Sequence, residues 1–184
     1  SCGTRGRAPF NSILSHGFVV DGKGLKMSKS TGNIIAPEDI LKKYGADILR
    51  AWVAASDYSE DLRLDHSILE QQAESYRKIR NTFRFLLGNL QDQKVNFNPN
   101  SKEIERWPEL ERFMLHQIFI LNANFKKYFK EYNFHKLYRE LLNFCSLDLS
   151  AFYFDIRKDI LYCDEAKSNK RVICLRLLYL ILDI

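Results

Sequence analysis

Apolar residues recur at steps of three and four along most of the chain beyond residue 66. Over 66–90 this spacing puts one apolar stripe on a single helix face. The stripe consists of Leu69, Ala73, Tyr76, Ile79, Phe83, Leu86 and Leu90. The same period predicts a helix over 108–131, a long helix from about 133 that bends near 146–150, and a final helix after about 170. These segments predict a mainly α fold, a helical bundle.

The front of the chain has a different pattern. Apolar residues alternate loosely over 12–27 around an Asp21-Gly22 turn, which predicts a short β-hairpin. Pro37 suits the first position of a short helix, and Gly45 should separate that helix from a second one. The polar, turn-rich stretch over 56–67 is typical of a linker.

These patterns predict two domains with a boundary in the linker. Residues 1–56 form the first domain, and the helical bundle of residues 57–184 forms the second. The chain does not begin with Met, and its last apolar helix has no polar or glycine cap. We therefore expect it to be a segment of a longer protein, with the bundle cut short at its C-terminal end.

Composition and charge narrow the classes of partner. The 184 residues are 46% hydrophobic, which is enough for a real core, and the formal net charge is +5. Residues 1–56 carry eight basic and four acidic side chains, so most of the excess lies there. A polyanion would be attracted to that portion. The sequence contains no run of about 18 uncharged apolar residues, so it predicts no membrane span.

The metal-binding residue types do not cluster in the sequence. Neither the cysteines nor the histidines have the spacing of a zinc site, so we predict no bound metal in this segment. Unpaired thiols are typical of a reducing compartment, and we expect the protein to be cytoplasmic. The residues concerned are Cys2, Cys145, Cys163, Cys174, His16, His66, His116 and His135.

The stretch "GKGLKMSKSTGN" over 22–33 is the strongest chemical signal. Glycines on both sides permit large backbone rotations, as a closing loop requires. Lys26 and Lys29 could neutralise charge on a departing pyrophosphate, a kind of contribution worth about 100- to 1,000-fold in rate. The alternative interpretation is an ordinary solvent-exposed loop, which would be favoured if the sequence were a generic mixture of lysines and serines.

The pentapeptide "KMSKS" resembles the signature loop of the class I aminoacyl-tRNA synthetases. The stretches "HGFVVDGKGLKMSKSTGN", "PEDILKKYGADILRAWVAASDYSEDLRLD" and "FYFDIRKDILYCD" are similar to bacterial-type isoleucyl enzymes, and the similarity covers essentially the whole chain. Valyl and leucyl enzymes share the pentapeptide and the "YGAD" turn. The same region of a valyl or leucyl enzyme is therefore the alternative within the class.

The resemblance implies an activity for the parent enzyme, an isoleucine-tRNA ligase. It would use ATP with magnesium to activate isoleucine and would transfer the amino acid to tRNA(Ile), acting as a monomer. The catalytic residues implied are Lys29 and, in support, Lys26. The ATP-binding set implied is Lys26, Met27, Ser28, Lys29 and Ser30. Residues 1–56 would be the end of the catalytic domain with its stem-contact helices, and residues 57–184 the anticodon-binding bundle.

The second ATP motif of that family, His-x-Gly-His, is missing from these 184 residues, since His16 is followed by Gly17 and Phe18. An isolated phosphate loop lacks its opposing half-site, which supplies positioning and water exclusion. We therefore predict that the segment alone is inactive.

A basic strip on the first bundle helix is the candidate tRNA contact. Arg77, Arg80 and Arg84 lie opposite the apolar stripe and could contact phosphates of an RNA stem. The same sequence would also result from an ordinary solvent-exposed helix face, on which Glu70 and Glu74 balance the charge of the arginines. A helical RNA-binding module without a catalytic parent and a protein-interaction scaffold are the alternatives outside the synthetases. For Trp52 and Trp107, core packing is favoured over stacking on a base.

Overall fold

The computed structural model describes residues 2–91 and 101–183, and within these ranges helices dominate. The helices are α1 (Cys2–Arg5), α2 (Pro37–Tyr44), α3 (Ala46–Ala55), α4 (His66–Leu90), α5 (Ser101–Ile104), α6 (Glu109–Lys130), α7 (Phe134–Asn143), α8 (Phe154–Cys163) and α9 (Asn169–Leu182). A π-helical segment, Phe144–Tyr153, joins α7 to α8. The strands are β1 (Val19–Asp21) and β2 (Leu62–Leu64). The mainly α bundle is confirmed. The tract "QDQKVNFNPNSK" over 91–102, whose polar composition predicts a loop, lies mainly outside the described residues.

The helix pair at the front forms as the sequence predicts. Pro37 opens α2, with Glu38 and Asp39 in its first turn, where carboxylates interact favourably with the helix dipole. Gly45 then adopts φ 85°, a conformation that other residues rarely take, and separates α2 from α3. Burial of Trp52 confirms its predicted core role.

The strand pairing differs from the predicted hairpin and linker. β1 pairs in parallel with β2, matching Val19 to Leu62, whereas the antiparallel return after the Asp-Gly turn is a single bridge between Val20 and Lys26. The stretch predicted as a linker therefore contains a strand, and its Leu62 and Leu64 are buried. Three-residue strands carry too little alternation to be recognised, and a parallel partner is distant in sequence.

The long helix α4 joins two hydrophobic cores. Its first residues are capped by Asp65, whose Oδ1 accepts the backbone N–H of Ile68 at 2.8 Å. Leu69 near its start lies in the front cluster, which also contains Ile40, Ile48, Trp52, Leu62 and Leu64. Leu86 near its end lies in the larger rear cluster.

The rear cluster fills the bundle between α4, α6, α9 and the uninterrupted helical run of α7, the π segment and α8. Trp107 is buried there, as predicted. A π segment occupies the region where the bend near 146–150 was predicted, and its backbone hydrogen bonds span five residues rather than four. The hydroxyl of Ser150 donates to the carbonyl oxygen of Cys145 at 2.7 Å, so this carbonyl keeps a partner inside the bundle.

A buried ion pair crosses the bundle. Glu111 is 2% exposed and accepts two hydrogen bonds from Arg157, at 2.6 and 2.9 Å. The hydroxyl of Tyr153 also donates to Glu111, and burial raises the pKa of that phenol. Because both carboxylate oxygens are paired, the charge is tolerated in the core. Within residues 2–91 and 101–183, no helix is long and apolar enough to cross a membrane.

We predict that Glu111→Gln lowers the free energy of unfolding by about 3 kcal/mol, because it leaves the Arg157 guanidinium buried without its counter-charge. Denaturant unfolding of the chain, followed by circular dichroism, measures this. Glu105→Gln is the matched control, since Glu105 is exposed and its change should stay within about 0.5 kcal/mol. Equal effects of the two substitutions would contradict the assigned role of the pair.

Candidate functional site

The candidate loop leaves β1 through a tight turn. The backbone N–H of Gly24 donates to Asp21 at 2.9 Å, and Asp21 N–H donates to the carbonyl oxygen of Leu25, also at 2.9 Å. Gly24 adopts φ 83° there, as such a turn requires. The side chain of Asp21 closes the turn further, because its Oδ1 accepts the N–H groups of Lys23 and Leu25. The base of the loop is therefore ordered.

Asn33 is the hub of the loop. Its Oδ1 accepts the backbone N–H of Ser28 at 2.9 Å and the hydroxyl of Thr31 at 2.6 Å. Its Nδ2 donates to Asp21 Oδ2 at 2.9 Å and to the carbonyl oxygen of Lys26 at 3.2 Å. One amide therefore braces the signature pentapeptide against the turn that precedes it.

The hydrogen bonds also act on the charge of Asp21. The amide of Asn33, and after it the backbone N–H of Leu25, hold the pKa of this carboxyl below its ordinary value. Asp21 is thus an anion at neutral pH and remains an acceptor for Asn33 over the physiological range. Because both of its oxygens accept hydrogen bonds from the loop, the Asp21 carboxylate has a structural role there.

Met27 and the two lysines face different environments. Met27 is half-buried and packs against the front hydrophobic cluster, which fixes the middle of the pentapeptide. Lys26 and Lys29 are exposed, and neither takes part in an ion pair within the described ranges. Both ammonium groups are therefore available to an anionic ligand. Ser28 and Ser30 interact with each other through their hydroxyls, 3.1 Å apart.

The flanking glycines do not all act as hinges. Gly32 has φ 69° and open space around it, which agrees with a rotating position. At Gly22, by contrast, a Cβ would lie 2.2 Å from Oδ2 of Asp65, the residue that caps α4. The absence of a side chain at Gly22 therefore lets the base of the loop pack directly onto the start of the long helix.

A second candidate site is a cleft of about 710 Å³ between the α2–α3 turn and α4. Lys43, Arg77 and Arg80 line it, together with the first backbone groups of α3 after Gly45. Asp47 is the acidic residue among the lining side chains, and it accepts the hydroxyl of Tyr76 at 3.1 Å. The cleft thus combines cations with the positive end of a helix.

The predicted arginine strip is divided by the structure. Arg77 and Arg80 share the cleft, whereas Arg84 lines a separate hollow with Asn81, Phe85, Gly88, Asn89 and Tyr162. Arg77 pairs with Glu74 at 2.6 Å, and both side chains are more than 60% exposed, so this pair is weak and easily exchanged. Lys43 pairs with Glu70 at 3.4 Å in a similarly exposed position.

Sequence reasoning did not single out Asn33, Lys43 or Asp65. Asn33 follows a Thr-Gly turn, and asparagine is enriched in turns for its side-chain hydrogen bonds, so a weak signal was present. No sequence pattern pointed to Lys43, because the two arginines that share its cleft, Arg77 and Arg80, are more than thirty residues away.

Two family models match the chain. One, described as tRNA synthetases class I (I, L, M and V), matches residues 1–65, and another, the anticodon-binding domain of tRNA ligase, matches residues 111–184. The chain therefore belongs to the class I aminoacyl-tRNA synthetases.

Within that class, curated relatives of this chain include isoleucine–tRNA ligases from several bacteria. The chain is 69% identical to the one from Pelagibacter ubique over 183 residues and 48% identical to the one from Geobacter sulfurreducens over 185. All of this chain is covered in both matches, and it spans about a fifth of the length of either relative.

A solved structure confirms the fold. In a LeuRS–tRNA–LeuAMS ternary complex from Agrobacterium radiobacter K84, a region superimposes with a TM-score of 0.63 at 18% identity. The match covers 90% of this chain and 20% of that one. The helical architecture is therefore that of a class I synthetase.

We predict that Gly22→Ala destabilises the chain by about 1 to 2 kcal/mol, because the new methyl group displaces Asp65 and removes the cap of α4. Thermal or denaturant unfolding measures the change. Gly88→Ala is the matched control: it lies inside α4 with nothing within 4 Å of a Cβ, so it should stabilise by up to about 1 kcal/mol. The same sign for both substitutions would contradict the packing role of Gly22.

Proposed function

We propose that the chain is the part of an isoleucine-tRNA ligase that carries the ATP-phosphate loop and the anticodon-side tRNA-binding helices. The observation that carries this proposal is the placement of Lys26 and Lys29 on a braced loop with both ammonium groups exposed and outside the ion pairs of the described residues. The relatives at 46 to 69% identity support isoleucine over valine or leucine as the amino acid.

In the proposed first step, a carboxylate oxygen of isoleucine attacks the α-phosphorus of ATP, which enters as its magnesium complex. The bond to the bridging oxygen breaks, and pyrophosphate leaves with the electron pair. Negative charge accumulates on the leaving group, so two ammonium groups near it lower the barrier. We assign the main contact to Lys29 and a supporting contact to Lys26. Ser28 and Ser30 shape the loop through their paired hydroxyls.

In the proposed second step, a terminal hydroxyl of tRNA(Ile) attacks the acyl carbonyl of isoleucyl-adenylate, and AMP leaves. This chain contributes to that step by holding the tRNA. The opposing His-x-Gly-His half-site is not among the 184 residues, so both steps are proposed for the longer ligase and the segment alone should be inactive.

The basic cleft supports the tRNA part of the proposal. Lys43, Arg77 and Arg80 are exposed and converge on a concave surface of sufficient size for a sugar-phosphate segment. Their pairs with Glu70 and Glu74 are solvent-exposed and can be exchanged for phosphate contacts at low cost. We propose Arg84, further along α4, as an additional contact to the same backbone. Such contacts position the RNA and carry no sequence information.

We expect Lys29→Ala in the full-length ligase to slow adenylate formation by about 100- to 1,000-fold, because a charge-stabilising donor to the leaving pyrophosphate is lost. ATP–pyrophosphate exchange measures the rate. Lys23→Ala, which removes an exposed lysine from the preceding turn, serves as the control and should leave the rate nearly unchanged. Unaltered exchange in Lys29→Ala would remove Lys29 from the proposed role.

We expect Arg80→Ala to weaken binding of tRNA(Ile) and to reduce the slope of log affinity against log salt by about 1, as one phosphate contact is lost. A binding titration from about 50 to 200 mM salt measures both quantities. Lys78→Ala is the control, because Lys78 is an exposed cation on α4 outside the cleft lining. An identical slope for wild type and Arg80→Ala would show that the cleft does not contact phosphate.

A further inference from the structure

We propose that Asn33 and Asp21 form a latch that sets the backbone geometry of the signature loop and thereby positions Lys26 and Lys29. The inference rests on the proposed function of those lysines. The latch is the hydrogen bond from Asn33 Nδ2 to Asp21 Oδ2, 2.9 Å long, between residues twelve positions apart. It converts the segment between them into a closed ring whose base is the turn at Asp21.

The pattern of hydrogen-bond donors and acceptors explains why an asparagine occupies position 33. Toward Ser28 and Thr31 the side chain accepts hydrogen bonds, and toward Asp21 and Lys26 it donates them. Two accepted and two donated hydrogen bonds require a carboxamide, because a hydroxyl or a neutral imidazole has only one N–H or O–H to donate. Aspartate would have no donor and would place a second carboxylate against Asp21.

The contacts of the latch lie on both sides of Met27. Asn33 holds the carbonyl oxygen of Lys26 before it and the N–H of Ser28 after it, while the Met27 side chain packs on the front cluster. The backbone from which the Lys26 side chain departs is therefore held from two directions. Lys29 follows directly after the held Ser28.

Such bracing affects the chemistry through geometry. Groups that stabilise a transition state must already be placed when charge develops, and a displacement of about 1 Å can cost up to about 100-fold in rate. Asn33 and Asp21 need no contact with ATP for this effect. They are positioning residues, and the lysines they position are the catalytic ones.

A swap of the two side chains tests the latch in the full-length ligase. Asn33→Asp alone places two carboxylates against each other. In Asp21→Asn alone, the NH2 group of the new amide faces either the NH2 group of Asn33 or the N–H groups of Lys23 and Leu25, which then lose their acceptor. In the double variant the amide at position 21 can donate to the carboxylate at position 33. That carboxylate still accepts from Ser28 and Thr31, so only the bond to the Lys26 carbonyl is lost. Asn11→Asp, at an exposed position outside the loop, is the matched control.

Each single variant should lower kcat for ATP–pyrophosphate exchange by about 10- to 100-fold with little change in KM for ATP, and the double variant should recover most of the loss. Trypsin should cleave after Lys26 and Lys29 faster in the single variants than in wild type or the double variant. Binding of tRNA(Ile) should be the same in all of them, which verifies folding.

The proposal is overturned if the double variant is as slow and as readily cleaved as the single ones, or if the single variants behave like wild type. If instead the proposed function is wrong, Lys29→Ala leaves the rate of ATP–pyrophosphate exchange unchanged. This result does not depend on how trypsin cleaves the latch variants. The trypsin comparison reports on the latch independently of the chemistry.

Discussion

The capped start of α4 is the constraint on which the rest of the structure depends. Asp65 accepts the N–H of Ile68, and the same side chain packs against Gly22, at the base of the signature loop. The preceding residue, Leu64, pairs with Asp21 in the two-stranded sheet. Helix, sheet and loop thus meet within a few residues. Moving any one of them exposes backbone groups that the other two now satisfy.

For the function proposed here, the loop must meet two opposing demands. Lysines that bind phosphate must stay hydrated and unpaired before the ligand arrives, and long exposed side chains are mobile. The chain confines this mobility to the side chains of Lys26 and Lys29, while Met27 and Asn33 hold the backbone between and after them. Gly32, with φ 69° and open space around it, has no side-chain contact that would oppose a backbone rotation there.

The sequence predicted the helices well because their signal is local and repeated. Seven apolar positions define α4, and Gly45 marks the break between α2 and α3. The strand pair could not be predicted, since Val19 and Leu62 meet only through the tertiary fold. The Glu111–Arg157 pair could not be predicted for the same reason. The two residues are 46 positions apart, and in the sequence each resembles an ordinary surface charge; only the packing of their helices brings them together. Within the candidate site, the lysines were recognisable from a motif, whereas the brace of Asn33 depends on distances that no pattern encodes.

The front hydrophobic cluster connects the two candidate sites mechanically. Met27 of the loop packs on one part of it, and Tyr44 and Tyr76 of the basic cleft pack on it as well. Protein interiors are close-packed, so a side chain in such a cluster cannot move without displacing its neighbours. The spacing between the signature loop and the basic cleft is therefore determined by the packing of residues such as Ile40 and Leu69, which belong to the cluster and line neither site. For the proposed function, this arrangement places the residues assigned to ATP and to tRNA on one small rigid core rather than on separate loops, which would keep the two sets in a fixed relation.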